Sequence, residues 1–343
     1  MKPIVENLRI LVTGGAGFIG SNLVDALLEQ GNEVVVLDNF STGRMENLIP
    51  ATGNPRFKLI VGDIRDEKKC RAAVEGVDYV LHQAALGSVP RSIDDPLTSW
   101  SVNVGGFANM VTAAKDAGVK RFIYASSSSV YGDDQSPVKC EARVGEPLSP
   151  YAASKRAQEL FALNISRVYG FETIGLRYFN VFGPRQTPNG PYAAVIPKFA
   201  TALLRHQSPI INGDGSFSRD FTYVDNVVRA NELAVLADKA AADRVYNIAY
   251  GRRTTLNELF RALRRELSKY DPAIAAIEPE FAPVRAGDIP HSLASVELAE
   301  KLLGYVPEFS AEKGFELASR WYFEHLKDRN ENGDRPRQSE HRK

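Results

Sequence analysis

Tyr151 and Lys155 stand four residues apart in a segment that predicts a helix, and this spacing places both side chains on one face. A free tyrosine has a pKa near 10, so roughly one phenol in a thousand is ionised at neutral pH. An ammonium one turn away favours the phenolate, which predicts that Tyr151 can act as a base. Ser149 suits the N-cap and Pro150 the first turn, so the backbone would fix both side chains. On this spacing alone, a chance Tyr/Lys pair on a solvated helix face is the alternative.

A glycine-rich turn between a predicted strand and a predicted helix comes earlier in the chain. The apolar run 9–13 enters Gly14, Gly17 and Gly20, with the spacing G-x-x-G-x-x-G. In a dinucleotide fold such glycines allow a tight turn, close approach of the pyrophosphate and close packing of the helix, whose N-terminus binds phosphate. Asp38 follows about twenty residues later, where an acid binds the ribose 2′-hydroxyl and would repel a 2′-phosphate. The pattern predicts NAD rather than NADP, against the alternative of a glycine turn that binds nothing.

Composition limits the classes of partner. The 343-residue chain carries 42 basic and 42 acidic residues, so its formal net charge is zero and neither nucleic acid nor an anionic membrane surface is expected to bind it. No signal peptide opens the chain and no apolar run approaches the roughly 20 residues that span a bilayer, which favours a cytoplasmic protein. Cys70 and Cys140 lack metal-ligand spacing, so we expect neither a metal site nor a disulfide.

Strand-like apolar runs alternate with helical ones, which is typical of an α/β protein with a doubly wound parallel sheet. The predicted strands are 9–13, 33–37, 57–61, 77–82, 121–125, 173–178 and 245–249. The predicted helices are 21–30, 66–74, 100–117, 151–169, 196–205, 224–237 and 255–267.

The same alternation suggests a division of the chain. Residues 1–180 are expected to form a dinucleotide-binding domain of the Rossmann type, to which 224–250 returns. After about residue 180 prolines and glycines become denser and the rhythm breaks, so 181–326 is expected to form a smaller substrate-binding lobe. The charged segment 327–343 has no apolar periodicity and is expected to be a disordered tail without a catalytic part.

A serine run follows the predicted strand 121–125. Ligands in doubly wound sheets bind beyond the carboxyl ends of the strands, so hydroxyls from Ser126 to Ser129 are placed to bond a substrate oxygen beside Tyr151. By itself, a serine run is more often an ordinary polar loop.

Taken in order along the chain, these elements resemble the extended short-chain dehydrogenase/reductase family. The matching motifs are Gly14 to Gly20, Asp38, Asp63-Ile64, His82-Gln83-Ala84-Ala85, Ser126 to Gly132 and Tyr151 to Lys155. Segments 177–186, 213–215, 218–221 and 285–288 resemble its nucleotide-sugar branch, and 83–92 and 192–198 are most similar to UDP-N-acetylglucosamine 4-epimerases. The resemblance runs from about residue 8 to residue 325.

The resemblance implies a set of contacts for each ligand. For NAD, the implied residues are Gly14, Gly17, Phe18, Ile19, Gly20, Asp38, Asn39, Ser41, Gly43, Asp63, Ile64, Gln83, Ala84, Ala85, Tyr151 and Lys155. For a UDP-sugar, they are Ser88, Arg91, Ser127, Ser128, Ser129, Asn180, Ala194, Val195, Lys198, Asn212, Arg219, Arg285, Asp288 and Ser292. Asn180 and Arg219 would hold the diphosphate, and Arg285 and Asp288 would add phosphate and ribose contacts; a surface ion pair is the alternative for each arginine.

The serine run also bears on the reaction. Nucleotide-sugar 4,6-dehydratases of this family typically carry Thr-Asp-Glu before Val-Tyr-Gly, because removing water across C5 and C6 needs an acid and a base. This chain has Ser127, Ser128 and Ser129 there, whose hydroxyls can position a sugar oxygen but transfer protons poorly. The resemblance therefore implies a 4-epimerase that interconverts UDP-GlcNAc and UDP-GalNAc through a 4-keto sugar. Tyr151 would exchange the proton of O4 with help from Lys155, and Ser127 would hold O4.

Several alternatives stay open at this point. The nearer ones are a UDP-glucose or UDP-glucuronate 4-epimerase, or a decarboxylase, on the same fold. The farther one is a dinucleotide-binding sensor without turnover, against which the intact catalytic set argues. In epimerases that this chain resembles, the residue at the position of Ser292 lines the wall beside the sugar C2 substituent, so a small side chain would admit an N-acetyl group; an ordinary loop serine is the alternative. The resemblance also implies a homodimer that pairs helices 100–117 and 151–169.

Overall fold

The computed structural model describes residues 5–188, 194–284 and 290–326. The strands are β1 Arg9–Thr13, β2 Glu33–Asp38, β3 Phe57–Val61, β4 Tyr79–His82, β5 Arg121–Ser127, β6 Thr173–Tyr178, β7 Val181–Phe182, β8 Ile210–Asn212, β9 Ser218–Asp220, β10 Thr222–Tyr223, β11 Arg244–Ile248, β12 Arg253–Thr255 and β13 Glu280–Ala282. The α-helices are α1 Phe18–Glu29, α2 Glu67–Ala73, α3 Val89–Asp94, α4 Pro96–Trp100, α5 Phe107–Asp116, α6 Pro150–Tyr169, α7 Val195–Leu204, α8 Val224–Leu236, α9 Leu256–Leu267, α10 Glu297–Leu303 and α11 Ala311–Leu326.

Seven parallel strands form the central sheet, in the order β11-β6-β5-β4-β1-β2-β3. This confirms the predicted doubly wound α/β fold. The chain starts at β1, winds outward through β2 and β3, and then returns to β4 on the other side of β1. The strand order reverses between β1 and β4, and a crevice opens at the carboxyl ends of strands at such a point.

The central strands consist of apolar residues because helices cover both faces of the sheet. Ile10, Leu11 and Val12 of β1 are all fully buried, which is the pattern of a parallel strand between two helical layers. Residues of α1 and α8 pack on one face, and residues of α2, α5 and α6 pack on the other. These two layers fix the strand ends, and thereby the residues that follow each strand.

The predicted helix 100–117 is interrupted, which corrects the sequence expectation. Helix α4 ends at Trp100, and a π-helical segment, Ser101–Gly106, separates it from α5. The side chain of Asn103 is fully buried there and bonds both the N–H and the carbonyl of Leu86. The wider π turn accommodates this tertiary contact, and two adjacent glycines lower the helix propensity of the segment. The other predicted elements are found with ends shifted by a few residues.

A second apolar core lies in the later part of the chain. It includes Phe182, Phe199, Leu263 and Phe315, and so joins α7, α9 and α11. Short strand pairs accompany it: β7 with β10, β8 with β13, and β9 with β12. The predicted tail 327–343 lies outside the described residues, and the expected domain division stays a prediction. In the parts of the chain that the structure describes, no helix is both long and apolar enough to cross a bilayer.

The close packing of α1 on the glycine turn generates a test. A Cβ added at Gly20 would lie 2.2 Å from the carbonyl oxygen of Gly14, which is backbone and cannot move aside. We expect Gly20→Ala to lower the free energy of unfolding by about 1–3 kcal/mol, as overpacking does. Gly53→Ala is the matched control, because a Cβ there meets nothing within 4 Å. Equal midpoints for the two variants in thermal or urea unfolding would contradict this account of the turn.

Candidate functional site

A cavity of about 440 Å³ opens at the carboxyl edge of the sheet, beyond the neighbouring strands β1 and β4, where the strand order reverses. Seventeen of the sequence-predicted site residues line it: Gly14, Gly17, Phe18, Ile19, Gly20, Asp38, Asn39, Ser41, Asp63, Ile64, Gln83, Ala84, Ala85, Ser127, Tyr151, Lys155 and Asn180. The structure therefore brings the glycine turn and the Tyr/Lys pair together in one cavity, although they are far apart in the sequence. Its volume is in the range of small-molecule sites.

The glycine turn forms one wall of this cavity. Gly14 has a φ of +68°, and a Cβ there would lie 2.7 Å from the backbone nitrogen of Ala84, so only glycine fits. Helix α1 has Gly17 as its N-cap. Because Gly17 has no side chain, the N–H groups of the first helical turn are left to an anionic ligand. This donor set fits a pyrophosphate.

Asp38, the last residue of β2, is held by the same turn. Its carboxylate accepts hydrogen bonds from the backbone N–H groups of Ala16 at 2.9 Å and Phe40 at 2.8 Å. Burial raises the pKa of Asp38, and these N–H groups oppose the shift. Asp63 lies nearby, and Arg65 holds its pKa down at about 2. Two carboxylates at this end of the cavity fit a ribose with free hydroxyls and disfavour a 2′-phosphate.

Helix α6 brings Tyr151 and Lys155 to the opposite end of the cavity. The Ser149 hydroxyl accepts the Ala152 N–H at 3.1 Å and Pro150 is the first helical residue, which confirms the predicted cap. The Tyr151 N–H donates to the Ser92 hydroxyl at 3.0 Å. The Lys155 ammonium donates to the Ala125 carbonyl at 2.8 Å, and its Nζ lies 6.0 Å from the centre of the Tyr151 ring. The end of β5 thus fixes the Lys155 side chain, and α3 holds the backbone at Tyr151.

The ionisation of this pair differs from the sequence expectation. Burial raises the pKa of Tyr151, and a hydrogen bond with Ser127 opposes the shift. Burial lowers the pKa of Lys155 to about 8, while the charge of Glu159 opposes that change. Lys155 is therefore mainly charged at neutral pH, but the net shift of the Tyr151 pKa is upward, because burial of the phenol outweighs its hydrogen bond with Ser127. The role of Tyr151 as a base, assisted by Lys155 and NAD⁺, stays a prediction.

The three hydroxyls from Ser127 to Ser129 do not play the same part in the site, because Ser129 donates to Ser127 and Ser127 bonds Tyr151. Ser129 donates to the Ser127 hydroxyl oxygen from its N–H at 3.2 Å and from its own hydroxyl at 3.0 Å. The Ser127 hydroxyl is thereby directed to Tyr151, and that hydrogen bond favours the phenolate. Ser127 lines the cavity, whereas Ser128 and Ser129 stand behind it.

A buried polar network beneath α6 was missed by the sequence reasoning. The Arg177 guanidinium donates to both oxygens of Glu159, at 2.7 and 2.8 Å, and both side chains are buried. The Ser126 hydroxyl donates to Glu159 at 2.6 Å, and Arg177 also donates to the Tyr131 hydroxyl at 3.0 Å. Glu159 is one helical turn after Lys155, and an acid at that spacing was the only signal in the sequence.

The remaining predicted residues lie elsewhere. Ser88 caps α3, where its hydroxyl accepts the N–H of Arg91. Ser292 is held by its N–H, which donates to the carbonyl of Ser218 at 3.1 Å. The described residues that do not line the cavity are Gly43, Ser88, Arg91, Ser128, Ser129, Ala194, Val195, Lys198, Asn212, Arg219 and Ser292. Arg285 and Asp288 lie outside the described residues. Within the described ranges, no cluster of three His, Cys, Asp or Glu side chains could hold a metal ion.

Comparisons with known proteins place this geometry in a family. Residues 10–249 match the model of the NAD dependent epimerase/dehydratase family. A UDP-glucose 4-epimerase of Mycolicibacterium smegmatis is 38% identical over 309 residues, which cover 90% of this chain and 96% of that protein. A structure of UDP-N-acetylglucosamine 4-epimerase from Methanobrevibacter ruminantium, in complex with UDP-N-acetylmuramic acid, superposes with a TM-score of 0.87 at 38% identity. That match covers 93% of this chain and 99% of the other.

A cofactor-bound structure is also similar. The UDP-glucose 4-epimerase of Thermus thermophilus, in complex with NAD, has a TM-score of 0.79 at 34% identity, and the match covers 92% of this chain and 99% of the other.

Asp38 provides a test of cofactor choice. Asp38→Ala removes an acceptor for the ribose 2′-hydroxyl and the charge that repels a 2′-phosphate. We expect less NAD in the purified variant and weaker discrimination against NADP, measured as bound nucleotide after denaturation and by titration of the stripped protein. Asp63→Ala is the comparison, because that carboxylate already pairs with Arg65 at 2.7 Å. Equal affinity of the wild type for NAD and NADP would show that Asp38 does not set the choice.

The family match over residues 10–249 agrees with the geometry of the glycine turn, the Asp38 and Asp63 carboxylates and the buried Tyr/Lys pair. The chain therefore belongs to the NAD dependent epimerase/dehydratase family.

Proposed function

We propose that the protein is a 4-epimerase that uses NAD to interconvert UDP-GlcNAc and UDP-GalNAc through a 4-keto sugar. The observation that carries the proposal is the make-up of the catalytic end of the cavity, where Ser127, Tyr151 and Lys155 converge. Among the described lining residues, the carboxylates belong to Asp38 and Asp63, on the far side of β1 from Ser127. An elimination of water across C5 and C6 would call for a further acid and base here, whereas oxidation at C4 needs only a base beside O4.

Bound NAD⁺ would supply a two-electron acceptor for C4 and a positive charge near the phenol. Burial leaves Tyr151 protonated in its absence, so the proton is lost when positive charge and the Ser127 hydrogen bond together offset desolvation. The Tyr151 phenolate, stabilised by the charge of Lys155 that the Ala125 carbonyl holds in place, then takes the proton of O4 as C4 gives up its hydride. Ser127 orients O4. When the keto sugar presents its other face, C4 regains the hydride, Tyr151 returns a proton to O4 and the enzyme is restored.

Tyr151→Phe tests the role of the phenol. The change removes the ionisable oxygen and keeps the ring, so we expect the rate to fall by about 10²–10⁴, which is the usual contribution of a general acid or base. Bound NAD should remain close to the wild-type amount. Tyr169→Phe, at the exposed end of the same helix, is the matched control and should behave as wild type. Near-normal turnover by Tyr151→Phe would refute the mechanism.

The substrate pair is tested at Ser292, which adjoins the segment 285–289 and is half-buried. If this small side chain faces the sugar C2 substituent, wild-type kcat/KM should be higher for UDP-GlcNAc and UDP-GalNAc than for UDP-Glc and UDP-Gal. Ser292→Tyr should then abolish turnover of the acetylated pair by steric exclusion and spare the other pair. Higher kcat/KM for UDP-Glc would favour a UDP-glucose 4-epimerase, the activity in the name of the M. smegmatis relative.

Ser292→Ala is the control for this experiment, because it keeps the small volume and should leave the preference unchanged. Including UDP-glucuronate in the substrate panel separates the uronate epimerase and decarboxylase alternatives. Equal slowing of all sugars by Ser292→Tyr would place the specificity elsewhere, for example in 88–92.

We also propose that the protein forms a homodimer through α6 and the helical segment 96–117, in which α4 leads into the helix expected at 100–117. Large apolar side chains stand exposed on these helices: Leu97 and Trp100 on α4, and Leu160 and Phe161 on α6. Neighbouring exposed apolar groups of this kind mark an interaction surface, and two-fold dimers are the commonest oligomers. Light scattering at micromolar concentration should give twice the 37.8 kDa of one chain, and Leu160→Glu should shift the mass toward the monomer. A monomeric wild type would refute the proposal.

A further inference from the structure

Asp220 ends β9 and is fully buried, and its carboxylate receives backbone N–H groups from two distant segments. It accepts from Tyr250 at 3.1 Å, from Gly251 at 3.1 and 3.2 Å, and from Ala294 at 3.2 Å. Burial raises the pKa of Asp220 to about 6 and the amides oppose this shift, so the group is an ionised acceptor at pH 8. Hydrogen bonds of amides to a charged acceptor are stronger than those to a neutral one.

The elements tied to Asp220 carry three of the residues expected to bind the UDP-sugar. Arg219 directly precedes Asp220 on β9. The backbone carbonyl of Asp220 accepts from the Asn180 side chain at 3.1 Å, and Asn180 lines the cavity. Ser292 is two residues before Ala294, whose N–H the carboxylate binds.

The segment from Pro290 to Ala294 is held against β9 along its length. The Ser218 N–H donates to the Pro290 carbonyl at 2.9 Å, and the Ser292 N–H donates to the Ser218 carbonyl at 3.1 Å. The Arg219 guanidinium donates to the Pro290 carbonyl at 3.2 Å. The bond from Ala294 to Asp220 closes this ladder at its far end, so the carboxylate fixes the position of the whole segment relative to Arg219.

The backbone conformation of Asn180 is also stabilised by β9 and the residues that follow it. Its φ is +37°, a left-handed conformation that asparagine tolerates better than most residues and that surrounding contacts stabilise further. Two of those contacts come from the strand that carries Asp220 and the residues just after it: the side-chain bond to the Asp220 carbonyl, and the Thr222 N–H that donates to the Asn180 carbonyl at 3.3 Å.

We propose that Asp220 is a positioning residue for the nucleotide-sugar: its carboxylate holds the segment that carries Ser292 against β9 beside Arg219, and its backbone carbonyl holds Asn180, without touching the ligand. The inference rests on the proposed function, since these three residues are the ones that the family resemblance leads us to expect at its UDP-sugar substrate. Asp220→Asn keeps the shape but turns an amide NH₂ toward backbone N–H donors, so the loops would separate. The chemistry at Tyr151 and the cofactor site would be unaffected.

Asn226→Asp is the matched control. Asn226 is fully buried on α8, and its Oδ1 accepts the N–H groups of Glu308 and Phe309 at 2.9 and 3.1 Å. Its Nδ2 donates to the Phe309 carbonyl at 2.7 Å. Asn226→Asp keeps the size of the side chain but turns a carboxylate oxygen toward the Phe309 carbonyl. The segment that contains Glu308 and Phe309 carries no residue assigned to the site.

The test measures UDP affinity by calorimetry at pH 8, together with KM, kcat, thermal midpoint and bound NAD. We expect Asp220→Asn to weaken UDP binding and raise KM for the sugar nucleotide by at least about tenfold, as loss of a hydrogen bond to a charged group does, with kcat and bound NAD near wild type. Asn226→Asp should lower the thermal midpoint and leave UDP affinity unchanged. Asp220→Glu, which keeps the charge but displaces it by one methylene, should shift KM in the same direction.

UDP affinity at the wild-type level in either Asp220 variant would overturn the inference, as would an equal loss of affinity in Asn226→Asp. If the wild type binds no UDP, the proposed function falls and this inference with it. Wild-type binding that the Asp220 variants retain overturns this inference alone.

Discussion

The anchoring of α6 on the end of β5 is the contact on which the site depends. The Lys155 ammonium is bound by the Ala125 carbonyl, and one turn later Glu159 accepts from Ser126 and Arg177. Burying a charged lysine away from water costs free energy unless its ammonium is hydrogen-bonded. The nearby charge of Glu159 further stabilises the charged form of Lys155. Because the helix cannot slide or rotate without breaking these bonds, Tyr151 stays at the edge of the sheet where the strand order reverses between β1 and β4.

The cavity divides electrostatically into two ends. At one end, Asp38 and Asp63 lie beyond β2 and β3, where a ribose would be expected. At the other, uncharged serines and a raised-pKa tyrosine surround the place where a sugar would react. A buried phenol that ionises only when further positive charge arrives would couple proton removal to the oxidised cofactor. In such an arrangement, the proton would be removed only from a substrate that is bound while oxidised NAD occupies the cavity.

Local sequence patterns were sufficient for much of the fold. The glycine turn and the cap at Ser149 were predicted correctly because backbone conformation at these points depends on adjacent residues. The π-helical turn at Ser101–Gly106 was not predicted, because it depends on the contact of Asn103 with Leu86, which the sequence does not reveal. The pKa of Tyr151 was missed for the same reason, since burial is a tertiary property.

The supports behind the site were also invisible in the sequence. Asp220 and Arg177 look like ordinary charged residues within strands, and their importance follows from burial and from partners far along the chain. Sequence motifs thus predicted residues that line the cavity more readily than they predicted the buried residues that hold the cavity lining in place.

In the proposed reaction, C4 is oxidised and then reduced while the sugar and the NAD stay bound in one cavity. The most direct measurement is to incubate the purified protein, without added cofactor, with UDP-GlcNAc that carries deuterium at C4, and to analyse the product by mass spectrometry and NMR. We expect UDP-GalNAc that retains the deuterium at C4. Product that has exchanged this deuterium with solvent, or no epimer at all, would contradict it.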